Sequence, residues 1–211
     1  MEKKILAASD LMGEGLPSVP GLTDAMQHLR ELTDKDGREH GLILSPKGRI
    51  VVADLVGDST HIKIDDDNVY AALRGNYMLH SHPVESPLSL RDILSSCAAG
   101  CEGVVATMPN GGYSYTDTPL MCDPLVYKLF ERSTLSPMMN KTYKVLEKVE
   151  LLYGGTIQAE VALRLLAKQG WLKGWSGKYP EWLVAHLAKY SDLMDLSAYK
   201  AYDEDVLAAL R

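Results

Sequence analysis

Hydrophobic and polar positions follow two different rhythms along the chain. After a Gly/Pro-rich opening through "GEGLPSVPG", Leu22, Met26, Leu29 and Leu32 recur at helical intervals and stop at Gly37, which predicts an amphipathic helix. "HGLILS", "RIVVADLV" and "HIKI" then read as strands, the first two joined by the turn "SPKG", as in a hairpin or meander. "DDDNVYAALRG" places acids ahead of a short helical pattern, which suits a solvated helix N-terminus and its dipole better than an acidic metal cluster. "NYMLHSH" is a further strand, "SLRDILSSCAAG" a helix, "GVVATM" a strand, and "GYSYTD" another strand after the turn "PNGG". Strands alternating with helices predict an α/β domain.

From Pro124 the rhythm changes. "LVYKLFERS", "KTYKVLEKVELLYG", "IQAEVALRLLAKQG", "PEWLVAHLAKYSDLM" and "DEDVLAALR" all carry helical spacing, with Gly or Pro at several breaks. The predicted organisation is an N-terminal segment over 1–21, an α/β domain over 22–120 and an all-helical C-terminal extension over 121–211.

Composition narrows the function classes. A chain of 211 residues with 46% hydrophobic and 24% charged residues fits one soluble domain with an appendage. A net charge of −6, with no Lys/Arg cluster to reverse it locally, argues against nucleic acid or an anionic membrane as partner. There is no run of 18 apolar residues, and "MEKKILAASDLMGEG" is too short and broken for a signal peptide, so a cytoplasmic location is expected. Cys97, Cys101 and Cys122 fit neither a disulfide framework nor a zinc ribbon; they read as reduced thiols, with Cys97 and Cys101 one turn apart on a helix face.

The candidate chemistry lies in "NYMLHSHPVESPLSLRDIL". Residues i and i+2 of a strand share a face, about 6.6 Å apart at Cα, so His80 and His82 can converge on one ion. Pro83 ends the strand, having no N–H to give, and "VESPL" leads into a helix on which Asp92 is the candidate third ligand. Two imidazoles and a carboxylate leave a tetrahedral zinc one open position for water, as in catalytic sites. Ser89-x-x-Asp92 is also a capping box that would stabilise a helix with or without metal, and a strand histidine pair can be hydrogen-bonded in a core. The two readings coexist, because a capped first turn would hold Asp92 still beside the histidines.

"HSHPVESPLSLRD" resembles the signature of the JAMM metallopeptidases, the JAB1/MPN/Mov34 or MPN+ family: H-x-H-P, a short loop, then S-x-x-D. The resemblance covers roughly residues 22 to 118. It implies a JAB1/MPN-type, cytidine-deaminase-like mixed sheet flanked by helices, with one Zn2+ and its bound water held by His80, His82 and Asp92. Ser89 matches the serine that helps stabilise the oxyanion. Glu39, in "REHGLIL" at the start of a strand after an amphipathic helix, matches the family's upstream glutamate. The loop from Val84 to Leu88 is one residue shorter than is usual in the family, and glycine follows Glu39 one residue sooner than in many members.

What this implies is amide hydrolysis in a protein or peptide substrate, a ubiquitin-like conjugate among the candidates. Metal lowers the pKa of its water from about 15.7 toward 7, Glu39 serves as general base, and Ser89 donates to the developing oxyanion. The competing readings are a non-catalytic MPN-like scaffold with a vestigial or structural metal site, and another H-x-H metal hydrolase acting on a small molecule. Asp54 is either a hydrogen-bond partner to a ligand imidazole or an outward-facing strand residue. Glu31 and Asp36 read as solvated. His28, His61 and His186 lack comparable company, and His40 should face away from Glu39. Trp171, Trp175, Trp182 and Tyr179 pack the helical extension or present a partner surface, so the C-terminal helices are the candidate partner-binding region.

Overall fold

The amphipathic stretch after Gly21 forms helix α1 (Leu22–Asp36), which buries Leu22, Ala25, Met26, Leu29 and Thr33 along one stripe. Gly37 closes it in the left-handed conformation, φ 71°, its N–H bonded to the Thr33 carbonyl, as a glycine at that position favours. The structure, a computed structural model, describes residues 15–117, 175–179, 181, 182 and 185.

Beneath α1 lies a six-stranded mixed sheet of β1 (His40–Leu44), β2 (Ile50–Val56), β3 (Tyr77–Ser81), β4 (Gly103–Thr107), β5 (Tyr113–Asp117) and β6 (Trp175–Lys178). Its order is β2-β1-β3-β4-β5-β6. Strands β3 and β4 are parallel, and every other neighbouring pair is antiparallel. A parallel pair needs a crossover, which α3 (Leu90–Ala99) supplies; the shorter α2 (Asp67–Ala72) precedes β3. A single 3-10 turn, Pro109–Gly111, joins β4 to β5.

Strand alternation sorts side chains onto two faces. Leu42, Leu44, Tyr77, Leu79, Val105 and Tyr115 meet the apolar stripe of α1 in one core, with Leu16 and Val19 of the preceding segment packed against it. Fully burying a side chain such as Leu29 or Leu79 contributes about 1.5–3 kcal/mol. Three polar contacts run along the same helix. Arg30 Nη1 donates to Thr107 Oγ1 of β4 at 3.0 Å, the Thr33 hydroxyl hydrogen-bonds that of Ser81 on β3, and the Asp36 carboxylate meets His40 Nε2 on β1 at 3.0 Å. Ser81 Oγ also accepts from the His40 N–H and donates to its carbonyl, tying β1 to β3.

Several expectations are corrected. "HIKI" forms no ladder among the described residues: residues 61–64 belong to no strand, and Ile62 lies over Gly41, where an added Cβ would stand 2.7 Å from Ile62 Cδ1. The alternation that read as a third strand is that of a segment packed on the sheet face. Cys101 is not on the helix with Cys97, because Gly100, at φ 75°, ends α3 before it; both cysteines are buried. The C-terminal part is not all-helical, since Trp175–Lys178 pairs with β5 as an edge strand. Of the helices expected there, Glu181, Trp182 and Ala185 are helical, and the rest lie outside the described residues, as do residues 1–14 of the N-terminal segment. No helix among the described residues is long and apolar enough to cross a membrane.

Candidate metal centre

The face of the sheet opposite α1 carries the site. With Tyr77 and Leu79 committed to the α1 core, the pleat sends Met78, His80 and then His82 to the other side. β1 pairs Gly41 with His80, and carrying that register two residues back sets Glu39 across from His82. The His82 N–H bonds the Thr107 carbonyl at 2.8 Å, so the strand holds its course until Pro83. After the loop, Ser89 N-caps α3 in a full capping box: its Oγ accepts from the Asp92 N–H at 3.2 Å, and Asp92 Oδ2 accepts from the Ser89 N–H at 2.7 Å. Asp92 is therefore both the second member of the capping box and the candidate ligand.

His80 Nε2 and His82 Nε2 lie 3.0 Å apart, and Asp92 Oδ2 is 3.8 Å from the first and 3.9 Å from the second. Ligands at 2.0–2.1 Å from a tetrahedral zinc would be about 3.3 Å from one another. The observed separations bracket that figure, so these residues fit such an ion with small adjustments. Among the described residues, this is the group of His, Cys, Asp and Glu side chains whose ligand atoms converge in this way. His82 Nδ1 is 2.6 Å from the Ser86 carbonyl, which accepts only if that nitrogen carries the proton. The Nε2 lone pair of His82 is thereby turned toward His80 and Asp92.

Burial, reinforced by the neighbouring His80, pushes the His82 imidazole down to about 4, so it is neutral at physiological pH as a ligand must be. For His80, burial also opposes the charged form, but the Asp92 and Glu39 carboxylates outweigh it and raise its pKa. Burial works against an ionised Asp92 as well; His80, His82 and the hydrogen bond from Ser89 prevail and hold it far below the ordinary carboxylate range. Two inward-facing imidazole nitrogens and a half-buried carboxylate make an electron-rich pocket that a cation would neutralise.

Glu39 is buried beside this cluster, and desolvation, assisted by Asp92 and Asp58, lifts its carboxyl to about 7 against the smaller pull of His80 and His61. Its backbone is pinned at both ends: the Glu39 N–H bonds the Asp58 carbonyl at 2.7 Å and its carbonyl accepts from Gly57 at 2.8 Å. Asp58 Oδ1 in turn takes the N–H groups of Thr60 and His61. Any side chain at Gly57 would collide with the His61 carbonyl, so the tight turn requires glycine there. Glu39, His80, His82, Ser89 and Asp92 all line one cleft of about 750 Å³, walled by Ser59–Ile64 on one side and by Pro83, Val84 and Ser86–Leu88 on the other.

All five residues that the sequence singled out thus meet in one place. Asp54 does not belong: it is exposed, at φ 59° on edge strand β2 where the pairing with β1 is irregular, and so takes the outward-facing alternative. His40 faces away from Glu39 as expected, toward α1, and its contact with Asp36 shows that this acid is not merely solvated. His28 and Glu31 are exposed. Cys122, Trp171 and His186 lie outside the described residues; Tyr179 is buried and Trp182 is 41% exposed. Sequence reasoning missed two contributors, the Ser86 carbonyl that orients His82 and the Asp58 turn that holds Glu39. The first acts through the backbone, where side-chain chemistry leaves no mark; the second has a signal in "GDST", an Asp whose side chain takes the N–H groups two and three residues on. No protein-family model matches the chain, and comparison with curated proteins and with solved structures finds no match.

Proposed function

We propose that the protein is a JAMM-type, zinc-dependent peptidase or isopeptidase with a JAB1/MPN-like fold, hydrolysing an amide bond in a protein or peptide substrate, ubiquitin-like conjugates being one candidate class. The observation that carries this reading is the convergence of His80, His82 and Asp92 in one cleft with Glu39 and Ser89. A mixed sheet with a parallel β3/β4 pair, covered by α1 on one face and α3 on the other, supports the fold assignment.

A zinc ion held by His80, His82 and Asp92 would supply Lewis acidity toward a water molecule and a substrate carbonyl. Glu39, buried beside the cluster, takes the proton released as water attacks and returns it to the leaving amine. Ser89 Oγ uses a lone pair on the Asp92 N–H, which leaves its hydroxyl proton to donate to the carbonyl oxygen as charge builds there. The cleft of about 750 Å³ is open to solvent along part of its lining, which leaves room for a chain to enter beside the cluster.

The test is zinc content of the full-length protein prepared without chelator, alongside His82→Ala and Asp92→Ala. One zinc per chain, lost in both variants, is the expected result; a metal-free unmutated protein would overturn the reading. Glu39→Gln should then keep zinc and lose hydrolysis of isopeptide-linked and linear peptide substrates. Zinc bound with no hydrolysis by the unmutated protein across such a panel would favour the scaffold instead.

A further inference from the structure

The loop between His82 and Ser89 is held from two places distant in sequence, the turn after β4 and the segment after β6. Lys178, at the end of β6, pairs with Tyr113 at the start of β5, so the chain leaves the sheet beside the 3-10 turn Pro109–Gly111. In that turn Asn110 adopts the left-handed conformation, φ 62°, which asparagine tolerates better than most residues. Its Nδ2 donates to Glu85 Oε1, while Trp182 Nε1, four residues beyond β6, donates to Glu85 Oε2. One carboxylate in the loop thus joins a turn of the α/β domain to the C-terminal segment.

Glu85 adjoins Ser86, whose carbonyl accepts from His82 Nδ1 and whose hydroxyl lies 3.0 Å from the same nitrogen. We infer that Glu85 is a positioning residue for the metal centre, and that the C-terminal segment, through Trp182, is a working part of that centre. The inference rests on the proposed metal reading. The path is short and covalent in its middle step: Trp182 and Asn110 fix the Glu85 side chain, the Glu85–Ser86 peptide follows, and the Ser86 carbonyl sets the tautomer and tilt of His82. A hydrogen-bonded partner of a ligand imidazole is typically worth 10–100-fold in metal affinity. Glu85 acts one residue removed, so the lower end of that range applies. Freed of its two donors, this loop has less to hold the Ser86 carbonyl on the imidazole, and His82 gains access to the tautomer that turns its lone pair away.

The experiment measures zinc affinity of the full chain by competition with a chromophoric chelator, for the unmutated protein, His82→Ala, Glu85→Ala, Glu85→Gln and Trp182→Phe. Alongside it, the His82 ring-nitrogen NMR shifts in the zinc-free protein report the tautomer, which a merely structural role would not move. Expected are roughly tenfold weaker binding for Glu85→Ala and about threefold for Trp182→Phe and for Glu85→Gln, which keeps one acceptor. A mixed His82 tautomer should accompany them, with the zinc-free melting temperature close to that of the unmutated protein. Zinc bound by the unmutated protein and lost in His82→Ala, but with affinity and tautomer unchanged in Trp182→Phe and Glu85→Gln, would overturn the inference and leave the metal reading standing. Zinc binding absent from the unmutated protein would overturn both. Should Glu85→Ala not fold, Trp182→Phe decides, since its indole is partly exposed and lies outside the α1 core.

Discussion

Glu39→Gln separates the electrostatic character of the cleft from its chemistry. In the chelator-treated protein, burial raises the Glu39 carboxyl from 4.5 to about 7. Between those values the native state holds a proton that the unfolded chain has released. The stability associated with protonated Glu39 is therefore complete below about 4.5 and lost as pH rises through about 7. The full linkage, at 1.36 kcal/mol per pH unit, is about 3.4 kcal/mol. The side chain opens on a solvated cleft, and screening reduces this to roughly 1–2 kcal/mol. Glutamine is close in shape and never ionises, so it escapes the penalty. With EDTA present, Glu39→Gln should melt roughly 3–6 °C above the unmutated protein at pH 8, and the gap should close toward pH 4.5. Calorimetry at four or five pH values checks this. A gap of the same size at both ends of the range would refute the claim that burial of this carboxylate is what the folded state resists.

Ser89→Ala should cost about 1 kcal/mol in urea unfolding through loss of the N-cap, and 10²–10³-fold in amide hydrolysis; Ser89→Asn, which caps as well, should recover the stability but not the turnover. Gly41→Ala places a Cβ 2.7 Å from Ile62 Cδ1 and 3.0 Å from the Leu79 carbonyl oxygen, and should destabilise by about 1–3 kcal/mol on denaturant titration while displacing the Ser59–Ile64 wall of the cleft. Ser114 Oγ is buried on β5 without a hydrogen-bond partner among the described residues, so Ser114→Ala should raise stability by about 1 kcal/mol, read in the same titration.

Much of the fold could be read from the sequence because its elements are locally specified. Helix α1 declares itself by apolar spacing and Gly37, and β1, β3 and β4 by short apolar runs between turn residues. β6 could not be found in this way: "WSGK" has no alternation of its own and becomes a strand through pairing with a β5 edge some sixty residues earlier. Residues 61–64 fail in the opposite sense, since alternation also describes a segment resting on a sheet face. At the site, His80, His82, Ser89 and Asp92 were legible because the geometry that unites them spans one strand, one loop and one helix turn. Glu39 needed the family resemblance, because its place opposite His82 is a matter of β1/β3 register, which no local pattern encodes.

The three polar contacts of α1 constrain something that the apolar core does not. Leucine stripes tolerate sliding, but Arg30, Thr33 and Asp36 each engage a different strand, β4, β3 and β1 in turn. A shift of the helix by one turn would break all of them at once. They act as rungs that prevent these strands from shearing past one another, and two of the strands carry Glu39, His80 and His82 on their far side. The geometry between Glu39 and the two imidazoles is stiff along the strand direction. Compliance is left to the side from which Ser89 and Asp92 approach, so a substrate that reshapes this cleft should do so by moving α3 and its loop.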